Sequence, residues 1–91
     1  MTGRFRLVDG VTLNEIDGKT VLFSMKSGDS FGLNESAAVL LKSLLDSDFD
    51  SAVAACAQLF EVTEDVIRPD LTELIEHLTG EGILVPGPDP D

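Results

Sequence analysis

The hydrophobic pattern of the chain changes its period once, at Asn34, and this change constrains the fold more than any other feature. Before Asn34, the runs "VTLNEI" and "KTVLFSMK" alternate apolar with more polar residues, which is typical of half-buried strands. After Asn34, the run "ESAAVLLKSLLD" repeats apolar residues at the spacing of an amphipathic helix. A chain that forms strands first and helices second covers one face of its sheet with the helices, so we predict an α+β fold.

The strand-like part predicts a three-stranded antiparallel meander. Asp17-Gly18 separates the first two apolar runs, and this dipeptide favours the tight turn of a β-hairpin. A second turn in "KSGDS" leads into the short run "SFGL". The predicted strands span residues 11–16, 19–26 and 29–33.

Two helices follow directly from the pattern after the meander. Asn34 is a favourable N-cap for the first helix, whose apolar residues share one face. Asp48 or Asp50 caps the second helix, and its apolar stripe includes Cys56, the single cysteine of the chain. A thiol in such a stripe is expected to be packed in the core rather than to act as a nucleophile.

The third helix contains Pro69, which lacks the N–H that a helix interior requires. We therefore predict a turn over residues 63–68 and a helix that begins at about Pro69, a favourable first-turn residue. Gly80 and Gly82 end this helix, and residues 83–85 are expected to tuck back against the body. Its predicted core face consists of Leu71, Leu74, Ile75 and Leu78.

A chain of 91 residues is long enough for one hydrophobic core and too short for two. We expect one domain over residues 11–85, preceded by an N-terminal arm, 1–10. The Pro-rich acidic tail, 86–91, is expected to be disordered. The predicted fold is thus a three-stranded meander followed by a three-helix bundle in the order of a winged helix-turn-helix.

Charge and hydropathy exclude two classes of partner. Asp plus Glu number 17 against 6 Lys plus Arg, a net charge of −11 that would repel nucleic acid phosphates. No apolar run reaches the ~18 residues that a membrane span needs. The first residues, "MTGRFRLVDG", lack the apolar middle of a secretory signal, so we expect a cytoplasmic protein.

The sequence offers little for catalysis. His77 is the single histidine, and one histidine with one cysteine gives no metal-ligand cluster of the usual spacing. No nucleophile-elbow motif frames a serine, and no acidic run follows the pattern of a calcium loop. We therefore predict no catalytic residue, no metal and no cofactor, and we interpret the chain as a binding protein.

Two long segments together resemble the PqqD-like family, also called the RiPP recognition element. They are "FGLNESAAVLLKSLLD" and "VAACAQLFEVTEDVIRPDLTELIEHLTGEGIL", and the resemblance covers roughly residues 11–85. Its order and spacing are carried by Leu33, Asn34, Ala37, Ala38, Leu40, Leu41, Leu44, Leu45, Asp46, Phe60, Val62, Asp70, Leu78, Gly82, Ile83 and Leu84.

The resemblance implies a non-catalytic protein that binds the leader segment of a ribosomally made precursor peptide. The leader is expected to add as a strand between the third strand and the third helix. A separate protease, cyclase or radical enzyme would then process or modify the presented peptide. Lasso-peptide biosynthesis, with a separate leader protease, is the pathway we expect. The alternative within the family is a peptide chaperone for a radical-enzyme pathway such as pyrroloquinoline quinone biosynthesis.

The expected leader-binding residues lie on the two walls of that cleft. An edge strand leaves N–H and C=O groups unpaired, which makes it a template for an added peptide strand. Gly32, without a side chain, would let a peptide backbone or an anchoring ring approach closely. The strand residues are Asp29, Ser30, Phe31 and Gly32, and the helix residues are Asp70, Glu73, Leu74 and His77.

Structural interpretations of these residues stand beside the functional ones. Phe31 shares a strand face with Leu33 and would then fill the core, while Gly32 would mark a bulge. Asp70 would favour the positive end of the helix dipole. Glu73 would lie on a solvated face, although an acidic rim also suits a leader that carries Lys or Arg. For the whole protein, the alternative is an assembly subunit that pairs its edge strand with a second copy as a homodimer.

Overall fold

The computed structural model describes residues 3–87. Its elements in chain order are β1 (Phe5–Leu7), β2 (Val11–Ile16), β3 (Lys19–Ser24), β4 (Ser30–Leu33), α1 (Glu35–Asp46), α2 (Phe49–Phe60), α3 (Glu64–Gly80) and β5 (Leu84–Pro86). An antiparallel sheet joins β2, β3 and β4 in that order, and β1 pairs antiparallel with β5. The predicted α+β class, with a meander followed by helices, is confirmed.

The hairpin between β2 and β3 forms where the sequence predicts it. Asp17 and Gly18 have φ angles of 53° and 77°, the left-handed pair that a two-residue hairpin turn requires. They set Ile16 opposite Lys19. The next strand ends at Ser24, two residues earlier than predicted, because the Ser24 carbonyl already accepts the N–H of Gly28 at 2.8 Å and starts the second turn.

The core lies between the inner face of the meander and the three helices. Leu22 is fully buried at its centre, opposite Leu13 on one side and Phe31 on the other. Phe31 and Leu33 are half-buried and pack against this core, in agreement with their structural interpretation. The fully buried helical side chains are Leu41, Leu44, Ala52, Val53, Cys56 and Leu71.

Side-chain caps fix the beginnings of the first two helices. Asn34 Oδ1 accepts the backbone N–H of Ala37 at 2.8 Å, which confirms Asn34 as the N-cap of α1. Asp48, not Asp50, caps α2 by accepting the N–H of Ser51 at 2.8 Å. The short connection between these caps turns the chain so that α2 packs on α1.

The predicted start of the third helix was wrong. α3 begins at Glu64 and contains Pro69 in its interior. Pro69 leaves the carbonyl four residues earlier, that of Asp65, without its helical donor. Because Asp65 is exposed, water can donate a hydrogen bond to its carbonyl instead. Ile67 is only 3% exposed, and its burial holds the first turn of the helix against the core.

The segment predicted as an N-terminal arm contains a strand. Leu7 lies opposite Leu84, which is fully buried, so the first and last strands close over one end of the core. Pro86 belongs to β5 and the N–H of Gly87 donates to the Arg4 carbonyl at 2.8 Å, although the disordered tail was predicted to begin at residue 86. The rest of that predicted tail, 88–91, lies outside the described residues.

Across residues 3–87, no helix is both long enough and apolar enough to cross a bilayer.

Candidate functional site

The strand β4 forms one edge of the meander and has β3 on one side only. The N–H of Ser24 donates to the carbonyl of Asp29 at 2.9 Å. Antiparallel pairs alternate between hydrogen-bonded and non-hydrogen-bonded ones, so this bond fixes the direction of every backbone group in β4. From the register, Phe31 bonds to Leu22 and Leu33 bonds to Thr20.

The backbone groups of the remaining two β4 residues, Ser30 and Gly32, therefore point away from β3. Among residues 3–87, no strand pairs with this side of β4. Each of the two residues presents one N–H and one C=O, so four main-chain groups are available along a free edge. Such an edge accepts a further strand without any change in the meander.

The side chains of β4 alternate across the sheet. Phe31 and Leu33 point towards the helices, whereas Ser30 and Gly32 are exposed on the opposite, outer face. The register of β4 against β3 is continuous, so the interpretation of Gly32 as a bulge was wrong. A Cβ atom placed on Gly32 would meet nothing within 4 Å, which shows that the space above it is open.

A cleft of about 370 Å³ lies between the first half of α1 and the middle of α3. Its apolar part is formed by Ala37 and Leu40 of α1 and by Leu74 of α3. The complete lining is Asn34, Ser36, Ala37, Leu40, Asp70, Glu73, Leu74 and His77. A peptide side chain of moderate size fits a space of this volume.

Asn34 connects the free edge to the cleft. It follows the last residue of β4, caps α1 and also lines the cleft. The cap fixes where α1 leaves the sheet, because the first turn of the helix is bonded to the residue that ends the strand. The edge and the cleft are thus neighbouring parts of one surface.

The α3 wall of the cleft is acidic. Asp70 and Glu73 are both exposed and lie one helical turn apart. Neither forms an ion pair among the residues that the structure describes, and no Lys or Arg of that range lines the cleft. This wall would therefore favour a cationic group on a ligand.

One ion pair that involves α1, between Lys42 and Glu15, lies outside the cleft. Lys42 of α1 donates to Glu15 of β2, and this hydrogen bond holds the pKa of the Glu15 carboxyl below its ordinary value. Both side chains are substantially exposed, so the pair adds little to stability.

The structure brings the four predicted α3 residues together in the cleft, whereas the predicted strand residues lie at the neighbouring edge. Asp70, Glu73, Leu74 and His77 line the cleft. Ser30, Phe31 and Gly32 belong to the edge strand and Asp29 directly precedes it, and none of the four lines the cleft. Leu74 is half-buried and also packs on the core, so a structural role accompanies its place in the cleft.

Sequence reasoning missed the α1 side of the cleft. Ser36, Ala37 and Leu40 lie at the three- and four-residue spacing of one helix face. Ala37 and Leu40 belong to the apolar face that the sequence predicts for the first helix, and the structure shows Ala37 half-buried. The signal that could have found them is the polar Ser36 beside that stripe, because it marks where the apolar face meets solvent.

The edge and the cleft offer main-chain hydrogen-bonding groups, apolar contact and negative charge. Within residues 3–87, no three His, Cys, Asp or Glu side chains are grouped so that they could hold a metal ion. Cys56 is fully buried in the core and does not line the cleft, while His77 is exposed on the cleft wall. A free strand edge beside an apolar cleft with an acidic wall can pair with a peptide backbone and receive its side chains.

Comparison with known proteins gives one family and two solved structures. The sequence profile described as coenzyme PQQ synthesis protein D (PqqD) matches residues 19–84. The chain is similar to a lasso peptide synthetase B1 complexed with the leader peptide, with a TM-score of 0.76 and 28% identity over 91% of this chain and 99% of that chain. It shares its fold with TbiB1 in complex with the TbiA(beta) leader peptide, with a TM-score of 0.81 and 22% identity over 92% and 99% of the two chains. No curated protein matches the sequence.

Proposed function

Because this chain belongs to the PqqD family, we propose that it binds the leader segment of a ribosomally made precursor peptide by strand addition to β4. The observation that carries this proposal is the free edge at Ser30 and Gly32, whose main-chain groups point away from β3. The similar lasso peptide synthetase B1 was solved with a leader peptide, which supports the same class of ligand here.

Strand addition divides affinity and selectivity between two parts of the surface. Main-chain hydrogen bonds to Ser30 and Gly32 require no particular ligand side chain, so they supply affinity with little sequence demand. Alternate side chains of the leader face the helices, where Leu40 and Leu74 offer apolar contact in the cleft. Asp70 and Glu73 favour leaders with a Lys or Arg at the matching place.

In this function the chain binds and presents, and a separate enzyme acts on the peptide. The similarity to a lasso peptide synthetase B1 supports a lasso-peptide pathway. The receiving enzyme that we propose in such a pathway is a separate leader protease. The alternative is a peptide chaperone for a radical-enzyme pathway such as pyrroloquinoline quinone biosynthesis, the synthesis that the description of the family names. Both functions use the same edge and cleft, and they differ in the enzyme that receives the bound leader.

Self-pairing through the same edge is the competing function from another class. Two copies that join their β4 strands would bring together two chains of net charge −11. Like charge of this size opposes association at low ionic strength, whereas a leader of opposite charge would be attracted. The charge of the chain therefore opposes self-pairing through this edge.

A backbone amide NMR titration with the synthetic leader of a precursor peptide from a neighbouring gene tests the proposal. We expect the largest shifts at the amides of Ser30 and Gly32 and along residues 70–77. Slowed hydrogen exchange at the Ser30 and Gly32 amides would show that both have gained hydrogen bonds. Absence of shifts at up to millimolar leader, together with a concentration-dependent dimer of the free protein, would replace the proposal by self-pairing.

A further inference from the structure

The outer face of the meander, which points away from the helices, carries several large apolar side chains in contact with solvent. Ile16, Phe23 and Met25 are 58%, 39% and 69% exposed. The solvated face of an antiparallel sheet is ordinarily polar. A patch of neighbouring exposed apolar side chains is instead typical of a surface that another molecule covers.

The strand pairing makes these side chains neighbours. Ile16 of β2 lies diagonal to Val21 of β3 on the same face. Val21 and Phe23 are two residues apart on β3, so they also share this face. The N–H of Met25 donates to the carbonyl of Gly10 at 2.8 Å, which continues the pairing one residue past β3 and keeps Met25 on the same side as Phe23. The four apolar residues thus form one continuous row.

The charge of this face differs in sign from that of the whole chain, which is −11. Its paired strand residues include one Lys and no Asp or Glu: Thr12, Asn14, Ile16, Lys19, Val21, Phe23, Ser30 and Gly32. Lys19 lies at one end of the row, and Lys26 lies beyond the other end. Neither lysine forms an ion pair within residues 3–87. Glu15 points to the helices, while Asp17 and Asp29 lie in turns outside the strands.

We propose that the outer face docks a second folded protein whose surface is apolar and bordered by carboxylates, and that this partner is the enzyme that acts on the bound leader. The inference rests on the proposed function and names where that enzyme binds. Carboxylates of the partner would pair with Lys19 and Lys26 around the apolar contact. A second copy of this chain would instead set lysines against lysines and add another charge of −11, which opposes self-association through this face.

The docking face is continuous with the edge to which the leader is proposed to add. The sheet order is β2-β3-β4, so a leader on β4 becomes a fourth strand and extends the outer face with its own alternate side chains. Ile16 and Met25 belong neither to β4 nor to the lining of the α1–α3 cleft. An enzyme docked on them therefore lies beside the bound leader without competing for the leader's own contacts.

Substitutions in the row test the docking face while leaving the edge strand intact. The probe is the purified processing enzyme from a neighbouring gene, titrated calorimetrically into the protein saturated with synthetic leader. Ile16→Gln and Met25→Gln should each weaken enzyme affinity about three- to tenfold, the loss expected when a large apolar contact is removed from an interface. Leu59→Gln is the matched control, because it makes the same kind of change at an apolar residue of α2 that is 66% exposed. Thermal unfolding checks that each variant folds.

Charge reversal tests the basic border. Lys26→Glu should weaken enzyme affinity several-fold at low salt, and the difference from wild type should shrink at 0.5 M salt. Leader affinity of Lys26→Glu, measured without the enzyme, should equal that of the wild type. A salt-independent loss of enzyme affinity, or no loss, would overturn the role of the carboxylates.

The outcomes separate the docking face from the proposed function. Equal enzyme affinities of wild type, Ile16→Gln and Met25→Gln, with the Ser30 and Gly32 amides still shifted by the leader, would overturn the docking face and leave strand addition intact. A concentration-dependent dimer that Met25→Gln abolishes would also overturn it, since a second copy would then cover the row. A leader that shifts neither amide would overturn the proposed function on which this inference rests.

Discussion

The side-chain Oδ1 of Asn34 accepts the backbone N–H of Ala37 at 2.8 Å, and this bond ties the end of β4 to the first turn of α1. Asn34→Ala removes the cap, and we expect the free energy of unfolding to fall by about 1 kcal/mol. Asn34→Asp keeps an acceptor oxygen and serves as the control. Urea unfolding measures both variants, and equal stabilities for Ala and Asp would show that the cap contributes nothing.

Ser30→Pro removes one outward-facing N–H from the free edge. The N–H of Ser30 does not bond to β3, so the meander should stay folded, as prolines on edge strands do. Loss of that hydrogen bond, together with the ring in its place, should weaken leader binding about tenfold.

The neighbouring residue supplies the control for the Ser30 experiment. The N–H of Phe31 faces β3 and bonds to Leu22, so Phe31→Pro should break the ladder and lower the thermal midpoint strongly. Circular dichroism melting and calorimetric titration of the two variants separate folding from binding. If Ser30→Pro binds the leader as tightly as the wild type, the leader does not pair with this edge.

The elements that sequence predicted correctly have local causes. The change of period at Asn34 separates the meander from the helices, and Asp17-Gly18 sets the hairpin through its two left-handed φ angles. The strand β1 has no such signal, because three residues are too few for a period and its partner β5 lies at the other end of the chain. Pro69 misled the prediction of α3, since the burial of Ile67 outweighs one missing hydrogen bond.

The candidate site could be predicted only in part, because local patterns reveal some of its residues while others depend on contacts between distant parts of the chain. His77 and its α3 neighbours share one helix face, which spacing reveals, and the structure places them together in the cleft. From the sequence alone, Ala37 and Leu40 of α1 cannot be distinguished from core residues, because the floor of a cleft is as apolar as a core. The direction of the Ser30 and Gly32 backbone groups depends on the pairing register, which one sequence does not specify.

Glu73→Lys tests the acidic wall of the cleft. For a leader that carries a basic residue there, affinity should fall several-fold at low salt, and the difference from wild type should shrink at 0.5 M salt, where charges are screened over about 4 Å. Glu76→Lys makes the same change of charge on the same helix but outside the cleft, and should have a smaller effect. Indistinguishable salt dependence of the two variants would argue against local recognition by Glu73.

Leu7→Ala tests whether β1 belongs to the folded domain. Leu7 is half-buried against the core and lies opposite Leu84, so its truncation should reduce the free energy of unfolding by about 1–2 kcal/mol. Arg6→Ala, on the exposed side of the same strand, should change it by about 0.5 kcal/mol or less. Equal and small effects in urea unfolding would mean that residues 5–7 act as an arm outside the cooperative fold.

The cap of α2 should make stability depend on pH in a defined direction. The backbone N–H of Ser51 donates to Asp48 and lowers the pKa of this carboxyl below its ordinary value of 3.8. A carboxyl with a depressed pKa stabilises the folded state above the unfolded pKa, and loses that contribution as pH falls through the folded one. Asp48→Asn also caps a helix but does not titrate, so it isolates this effect.

We therefore expect wild type and Asp48→Asn to differ most near pH 7, with the wild type the more stable because its negative charge also favours the positive end of the helix dipole. As the pH is lowered below 3.8, the difference in unfolding free energy should shrink, since the protonated carboxyl no longer accepts as a charged group. Urea unfolding of both proteins at pH 7, 5 and 3 measures this difference in unfolding free energy. A difference that stays constant over this range would show that the charge of Asp48 plays no part in holding α2, and that the cap acts through its hydrogen bond alone.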